Sequence, residues 1–230
     1  MPRATPSTNV QPLRRPPPAG HTVLDHALRT AALSGDVRTL TPLIERGADQ
    51  SCFQDPLLLD AVVTAGHIDM VLFLAGVGAP VSEPLPRGWT ALQIAIDATN
   101  TGLVHLLLGG ADVDVNVPGL GGARALHLAA NAEPRSGDGE DVQQRLTEIL
   151  AWLLKHTDAD VNAQSEAGDT ALHHAIPNVE RVQILLEAGA DPTIENLNGF
   201  LPVDVAALSS HRECVTLLTR AAKAFRTHAA

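Results

Sequence analysis

Ten histidines, 26 carboxylates and two cysteines are the side chains of this 230-residue chain that could bind a metal or move a proton. Two ligands carried on one helix need i, i+4 spacing, which brings them onto one face. His173 and His174 are neighbours, so on a helix they point about 100° apart, and no His-Glu-x-x-His sequence occurs. No metal or cofactor is expected. Cys52 and Cys214 stand far apart and alone, which excludes a disulfide-stapled scaffold or a Cys-rich zinc module and fits a reducing compartment. No Gly-x-Ser-x-Gly elbow is present. The segment Gly119-Leu120-Gly121-Gly122 superficially resembles a phosphate cradle, but no Lys follows it. The carboxylates recur at a fixed register along the chain, so no single pair of them marks acid–base chemistry.

The elements that would have to position any such residues are built from a chain that is 45% hydrophobic and 18% charged, enough for a packed fold. No apolar run approaches the roughly 18 residues that span a bilayer, and residues 1–20 carry Pro and Arg where a secretion signal needs an apolar stretch. A cytoplasmic protein is expected, with the nucleus also open, and no membrane association. Residues 21–210 hold 9 basic and 25 acidic side chains, a net −16, whereas residues 1–20 and 211–230 each carry +3. Such a body repels phosphate backbones and attracts cationic partners. With no Tyr, two Trp and four Phe, base-stacking platforms cannot be built in number, so nucleic-acid binding is excluded.

An internal repeat organises the sequence. Thr90-Ala91-Leu92-Gln93 returns as Arg124-Ala125-Leu126-His127, Thr170-Ala171-Leu172-His173 and Leu201-Pro202-Val203-Asp204, with weaker forms ending at Arg29 and Asp60. Their third residues fall at 28, 59, 92, 126, 172 and 203, at intervals of 31, 33, 34, 46 and 31. A second marker keeps the same step, as in Gly47-Ala48-Asp49 and Gly189-Ala190-Asp191. A period of this size means stacked units that bury their apolar faces only against neighbours. Ala125 to Ala130 reads as a short helix rich in small residues, and Arg181 to Glu187 as a second helix with apolar residues at helical spacing. Gly189 suits the left-handed position that ends a helix. The segments after it read as an extended piece and a tight turn. His174 takes the position of Ile94, Leu128 and Val205 in other units, so it is expected to face the core and to stay neutral at pH 7.

These boxes, the pair Ala129-Ala130, the turn Gly66-His67 and the close Asp160-Val161-Asn162 resemble the ankyrin repeat family across about residues 22–226. The resemblance implies an all-α fold, an ankyrin-repeat solenoid of paired antiparallel helices with short hairpin-like finger loops. It implies a Pro-rich disordered tail over 1–20 and one repeat domain over 21–230, with repeats near 22–54, 55–86, 87–121, 122–166, 167–197 and 198–230. The tail, with Pro12 to Pro18 around Arg14 and Arg15, either is inert or acts as a weak SH3-type ligand. Residues 211–226 are expected to be the polar cap of the last repeat. The box His is kept only at His127 and His173, so the links it makes must be made otherwise by Arg29, Asp60, Gln93 and Asp204. An insertion over residues 133–144, rich in Gly, Ser and acids, is expected to be a solvated loop between two helices.

The family's habit of binding with finger tips and the concave helix face points, position by position, to Phe53, Arg87, Trp89, Asp97, Leu120, Asn131, Glu166, Asp169, Leu197 and Phe200. Apolar residues on successive fingers suit binding hot spots, although Trp89 and Phe200 could equally cover the neighbouring hairpin. The expected function is a non-catalytic protein–protein interaction module, monomeric, whose acidic concave surface and apolar finger tips receive a protein with a basic patch. The alternative is an enzyme or small-molecule binder with a pocket in the groove of repeats three to five, formed by Arg124, His127 and His174. Arg124 is its sharpest feature, because a charge there replaces the Thr that opens the box.

Overall fold

A computed structural model of the protein describes residues 21–110, 113–131 and 140–228. Within them lie twelve α-helices and no strand. They follow one another in pairs: α1 (His21–Leu33) and α2 (Val37–Glu45), α3 (Pro56–Thr64) and α4 (Ile68–Gly76), α5 (Ala91–Asp97) and α6 (Thr101–Gly110), α7 (Ala125–Ala130) and α8 (Glu140–His156), α9 (Ala171–His174) and α10 (Val179–Glu187), α11 (Pro202–Leu208) and α12 (Arg212–His228). The odd-numbered helices pack in succession to form one row, and the even-numbered helices form a second row behind it. This is a solenoid.

Several helices start where the sequence supplies an acceptor for the free N–H groups of a first turn. Asp36 accepts from the N–H groups of Arg38 and Thr39, Asp55 from Leu57 ahead of Pro56, and Asn178 from Arg181. Thr90 and Gln93 cap reciprocally, each side chain accepting the other's backbone N–H at 3.2 and 3.0 Å. Gly189 ends α10 at φ 90°, in the left-handed region expected of it. The register residues of the sequence are the core of the first row: Leu28, Leu59, Leu92, Leu126 and Leu172 are all buried. Leu74, Leu107, Leu153, Leu185 and Leu218 do the same for the second row. Burying one such side chain contributes roughly 1.5–3 kcal/mol, and almost all of it is realised against an adjacent pair.

Fingers join the pairs, and four of them close with the same hydrogen bond. The N–H of Leu85, Gly119, Ser165 and Asn196 donates to the carbonyl four residues on, at Trp89, Ala123, Asp169 and Phe200, over 2.8–2.9 Å. Between α2 and α3 the chain instead makes a 3-10 turn, Gln50–Gln54. The insertion also departs from expectation. Residues 140–144 are not loop but the opening turns of α8, which runs for 17 residues. The Pro-rich segment 1–20 and residues 132–139 lie outside the described residues.

Candidate functional site

On the row of short helices, a concave pocket of about 330 Å³ is lined by Thr64, Arg87, Trp89, Ile94, Asp97 and Leu120. Two successive units build it. Thr64 ends α3, Ile94 and Asp97 lie on α5, Arg87 and Trp89 come from the finger before α5, and Leu120 from the finger after it. The Leu85–Trp89 hydrogen bond closes the finger, and the half-buried indole packs against the core. Arg87 is anchored: its Nε and Nη2 donate to both oxygens of Asp60 at 2.8–3.0 Å, and Nη2 also donates to the Thr64 hydroxyl. Leu120 is 66% exposed and overhangs the rim.

In most units the last residue of the box ties its helix to the next unit, by chemistry that varies along the chain. His127 Nδ1 accepts the Arg124 N–H at 3.1 Å, which places the ring proton on Nε2, 3.0 Å from the Asp169 carbonyl. His173 repeats this with the Thr170 N–H and the Phe200 carbonyl. Gln93 does the same with an amide, donating to the carbonyls of Val117 and Ala123 at 2.9 and 3.0 Å. Asp60 reverses the polarity and accepts from Arg87, while Arg29 reaches the Asp55 carboxylate at 2.6 Å and, by that hydrogen bond, holds its carboxyl below the usual range. Asp204 accepts only its own Leu201 N–H at 2.9 Å. Burial and the neighbouring His174 ring push the His127 imidazole down to about 4, and burial lowers His173 as well.

A family profile for ankyrin repeats matches three copies over residues 141–227, and one for a single ankyrin repeat matches residues 87–117. The chain belongs to the ankyrin repeat family. Among curated proteins it is similar to an L-asparaginase of Dirofilaria immitis, 33% identical over 75% of this chain and 28% of the relative. It is also similar to a putative ankyrin repeat-containing protein of Treponema pallidum, 31% identical over 77% of this chain and 55% of the relative. The human transient receptor potential cation channel subfamily A member 1 is 32% identical over 58% of this chain and 11% of its own length. The chain therefore spans between about a tenth and just over half of these relatives.

Of the positions carried over from ankyrin binding surfaces, Arg87, Trp89, Asp97 and Leu120 meet in the one pocket. Leu197 and Phe200 are exposed on the last finger, at 79% and 40%, and Glu166 is exposed on the one before it. Asp169 is half-buried and accepts from the Asn196 amide at 2.8 Å. Phe53 is a correction. It is 1% exposed because the 3-10 turn folds it inward, edge-on to Phe73 with ring centroids 5.5 Å apart, so it is core and not a finger tip. His174 is a second correction. Its register position borders the groove, where Leu128 and Val205 are also only half-buried, so it is not a core histidine. Its ring stands edge-on to His127, 5.7 Å away.

Asn131 ends α7 away from the pocket, and its carbonyl leads to a residue that sequence reasoning missed. Arg181 of α10 is fully buried, and none of its side-chain hydrogen bonds goes to a carboxylate. Its guanidinium donates to the Asn131 carbonyl at 2.6 Å, the Gln143 carbonyl at 2.7 Å, Gln143 Oε1 at 2.8 Å and the Thr147 hydroxyl at 3.0 Å. Burial lowers it to about 10, so it is charged at neutral pH. The available signal was an Arg at the register position of Met70, Leu103 and Cys214, all buried. Among the described residues no group of three or more His, Cys, Asp or Glu is placed to hold a metal, and no helix is long and apolar enough to cross a membrane.

Proposed function

We propose that this ankyrin domain is a non-catalytic protein-interaction module that takes a partner on its finger-bearing concave side, with Trp89 as apolar anchor and acidic groups guiding a partner with a basic patch. The observation that carries this reading is the convergence of Arg87, Trp89, Asp97 and Leu120, drawn from two fingers and a helix, on a single concave pocket. An aromatic ring partly sunk in a concavity and ringed by polar groups has the makeup of an interface hot spot. Leu120, Leu197 and Phe200 extend an exposed apolar edge along the fingers. Glu166, Asp169 and Glu195 lie on the same finger side, within a body of net charge −16. That charge favours encounter with a cationic partner more than it adds to affinity.

A catalytic groove at Arg124, His127 and His174 finds less support. Both nitrogens of His127 are committed to backbone partners, and the Arg124 guanidinium donates to the carbonyls of Asn116 and Gln164, both at 2.9 Å. These groups join fingers and leave His127 no lone pair for acid–base work. The named relatives include a channel and an enzyme that share the repeats with this chain over a minor part of their own length, which fits repeats that carry interactions. The test is affinity capture with the wild type, Trp89→Ala and a variant lacking residues 133–139, which spares α8 and Gln143, in parallel. Proteins held by the wild type and the deletion, but lost by Trp89→Ala, are finger-side partners. Retention by Trp89→Ala with loss in the deletion places the working surface on the opposite edge and overturns the proposal.

A further inference from the structure

We infer that the last finger, Asn196 to Phe200, receives an extended basic segment of the partner, whose main-chain N–H donates to the Asn198 carbonyl while flanking lysines or arginines reach Glu195 and Asp204. This deepens the interaction reading above and rests on it. The last three fingers are already joined tip to tip, by one hydrogen bond per unit. The Glu166 N–H donates to the Gly121 carbonyl at 2.9 Å, and one unit later the Leu197 N–H donates to the Ala167 carbonyl at 3.0 Å. The next acceptor in that register is the carbonyl of Asn198, an exposed residue, and it takes no hydrogen bond among the described residues. An unpaired acceptor at the end of such a row is a template for another chain.

Two side chains decide what that chain carries. In the preceding unit the links to the last finger come from donors: the Gln164 amide donates to the Glu195 carbonyl at 3.0 Å, and His173 Nε2 to the Phe200 carbonyl at 3.0 Å. The residues in those two positions of the last unit are Glu195 and Asp204, so both links change from donor to acceptor. Glu195 is exposed. Asp204 is half-buried and accepts through Oδ2 from its own Leu201 N–H, which leaves Oδ1 without a partner among the described residues. A further finger, from a second copy, would set its carbonyls against both carboxylates, acceptor against acceptor. A segment that brings N–H groups and cationic side chains makes charge-assisted hydrogen bonds there instead. Leu197, the most exposed large apolar side chain among the described residues, and Phe200 flank the same carbonyl. They offer apolar cover to the methylene stems of lysine or arginine and to an apolar residue between them. The −16 body adds a long-range pull in the same direction.

The probe is the capped peptide Arg-Gly-Leu-Gly-Gly-Arg, titrated into the full chain labelled with 15N. A hydrogen bond to the Asn198 carbonyl is read at the next amide nitrogen, that of Gly199. Gly122, which follows a carbonyl already taken by the Glu166 N–H, is the internal control. Expected are saturable shifts at Asn198, Gly199 and Phe200 in the millimolar range, with Gly122 unmoved. Replacing the leucine amide by an ester removes its N–H alone and should weaken binding roughly three- to tenfold, as the loss of one hydrogen bond does. Citrulline in place of both arginines should weaken it by a similar factor. So should Glu195→Gln combined with Asp204→Asn, a pair of changes that keeps an acceptor for the Leu201 N–H. Equal affinity of the ester overturns the main-chain hydrogen bond, and equal affinity of the citrulline peptide, or of the double variant for the arginine peptide, overturns the basic segment. Absence of any shift at residues 197–200 overturns the whole inference. Trp89→Ala should leave the peptide affinity unchanged; a loss would place the peptide in the Trp89 pocket and overturn the assignment to the last finger. Capture of partners with that same variant tests the interaction reading separately.

Discussion

His127 shows how one residue couples the architecture to pH. In the unfolded chain an imidazole titrates near 6.5, whereas here burial and the His174 ring hold it at about 4. Between those values the unfolded state binds a proton that the folded state refuses. The stabilisation from neutral His127 is thus complete above pH 6.5 and drains away as the pH falls toward 4, by roughly 2–3 kcal/mol at the lower end. His173, lowered in the same direction, adds to the loss. Gln93 demonstrates within this chain that an amide makes the same links without titrating. In urea titrations the wild type should unfold at a lower midpoint at pH 5 than at pH 7.5. His127→Gln should narrow that gap while changing stability at pH 7.5 by about 1 kcal/mol or less. An undiminished gap in the variant would show that His127 is not the group responsible.

At the scale of the element, Arg181 does what no helix of the chain does alone. It fastens α10 to the end of α7 and the opening turns of α8, so both margins of the insertion are held by one guanidinium. Replacing it with Met, as at position 70, keeps most of the volume but leaves the Asn131 carbonyl and Gln143 Oε1 without their donor. A loss of about 2–4 kcal/mol is expected, with faster amide exchange in the first turns of α8 and unchanged exchange in α3 to α5. A neutral or stabilising effect would mean that desolvating the charge costs as much as its hydrogen bonds return. The sequence could not show this. Helical periodicity made the helix visible, but the partners of Arg181 lie 34–51 residues away, across an insertion of no fixed length. The core leucines were legible because the repeat puts them in one register. The positions that line the Trp89 pocket were legible as belonging to one face, because equivalent positions of successive units must face the same way, but that they form a pocket was not. Phe53 misled for the converse reason: its finger is replaced by a 3-10 turn, and register alone does not reveal which way such a turn points its side chain.

Across the whole molecule the acidic excess is distributed, not paired. Arg29–Asp55 and Arg87–Asp60 link successive units, and Arg145–Asp141 is an exposed pair within α8. With 25 acids against 9 bases over residues 21–210, most carboxylates must face like charge along the solenoid. Adjacent repeats come together only by overcoming that repulsion, since stacking brings each unit's acids beside the next unit's. Salt acts on both terms. Screening weakens partly exposed pairs such as these, worth about 0–1 kcal/mol each, and relieves a repulsion summed over the length of the stack. At about 0.1 M the screening length is near 10 Å, comparable to the spacing of neighbouring helices, so the summed term should respond first. Thermal unfolding at pH 7.5 should therefore move up by a few degrees between about 20 and 300 mM sodium chloride. Neutralising the Arg87–Asp60 pair by Arg87→Gln and Asp60→Asn together should leave that upward shift in place. A melting temperature that falls with salt would mean that paired charges, and not repulsion between repeats, dominate the electrostatics of the solenoid.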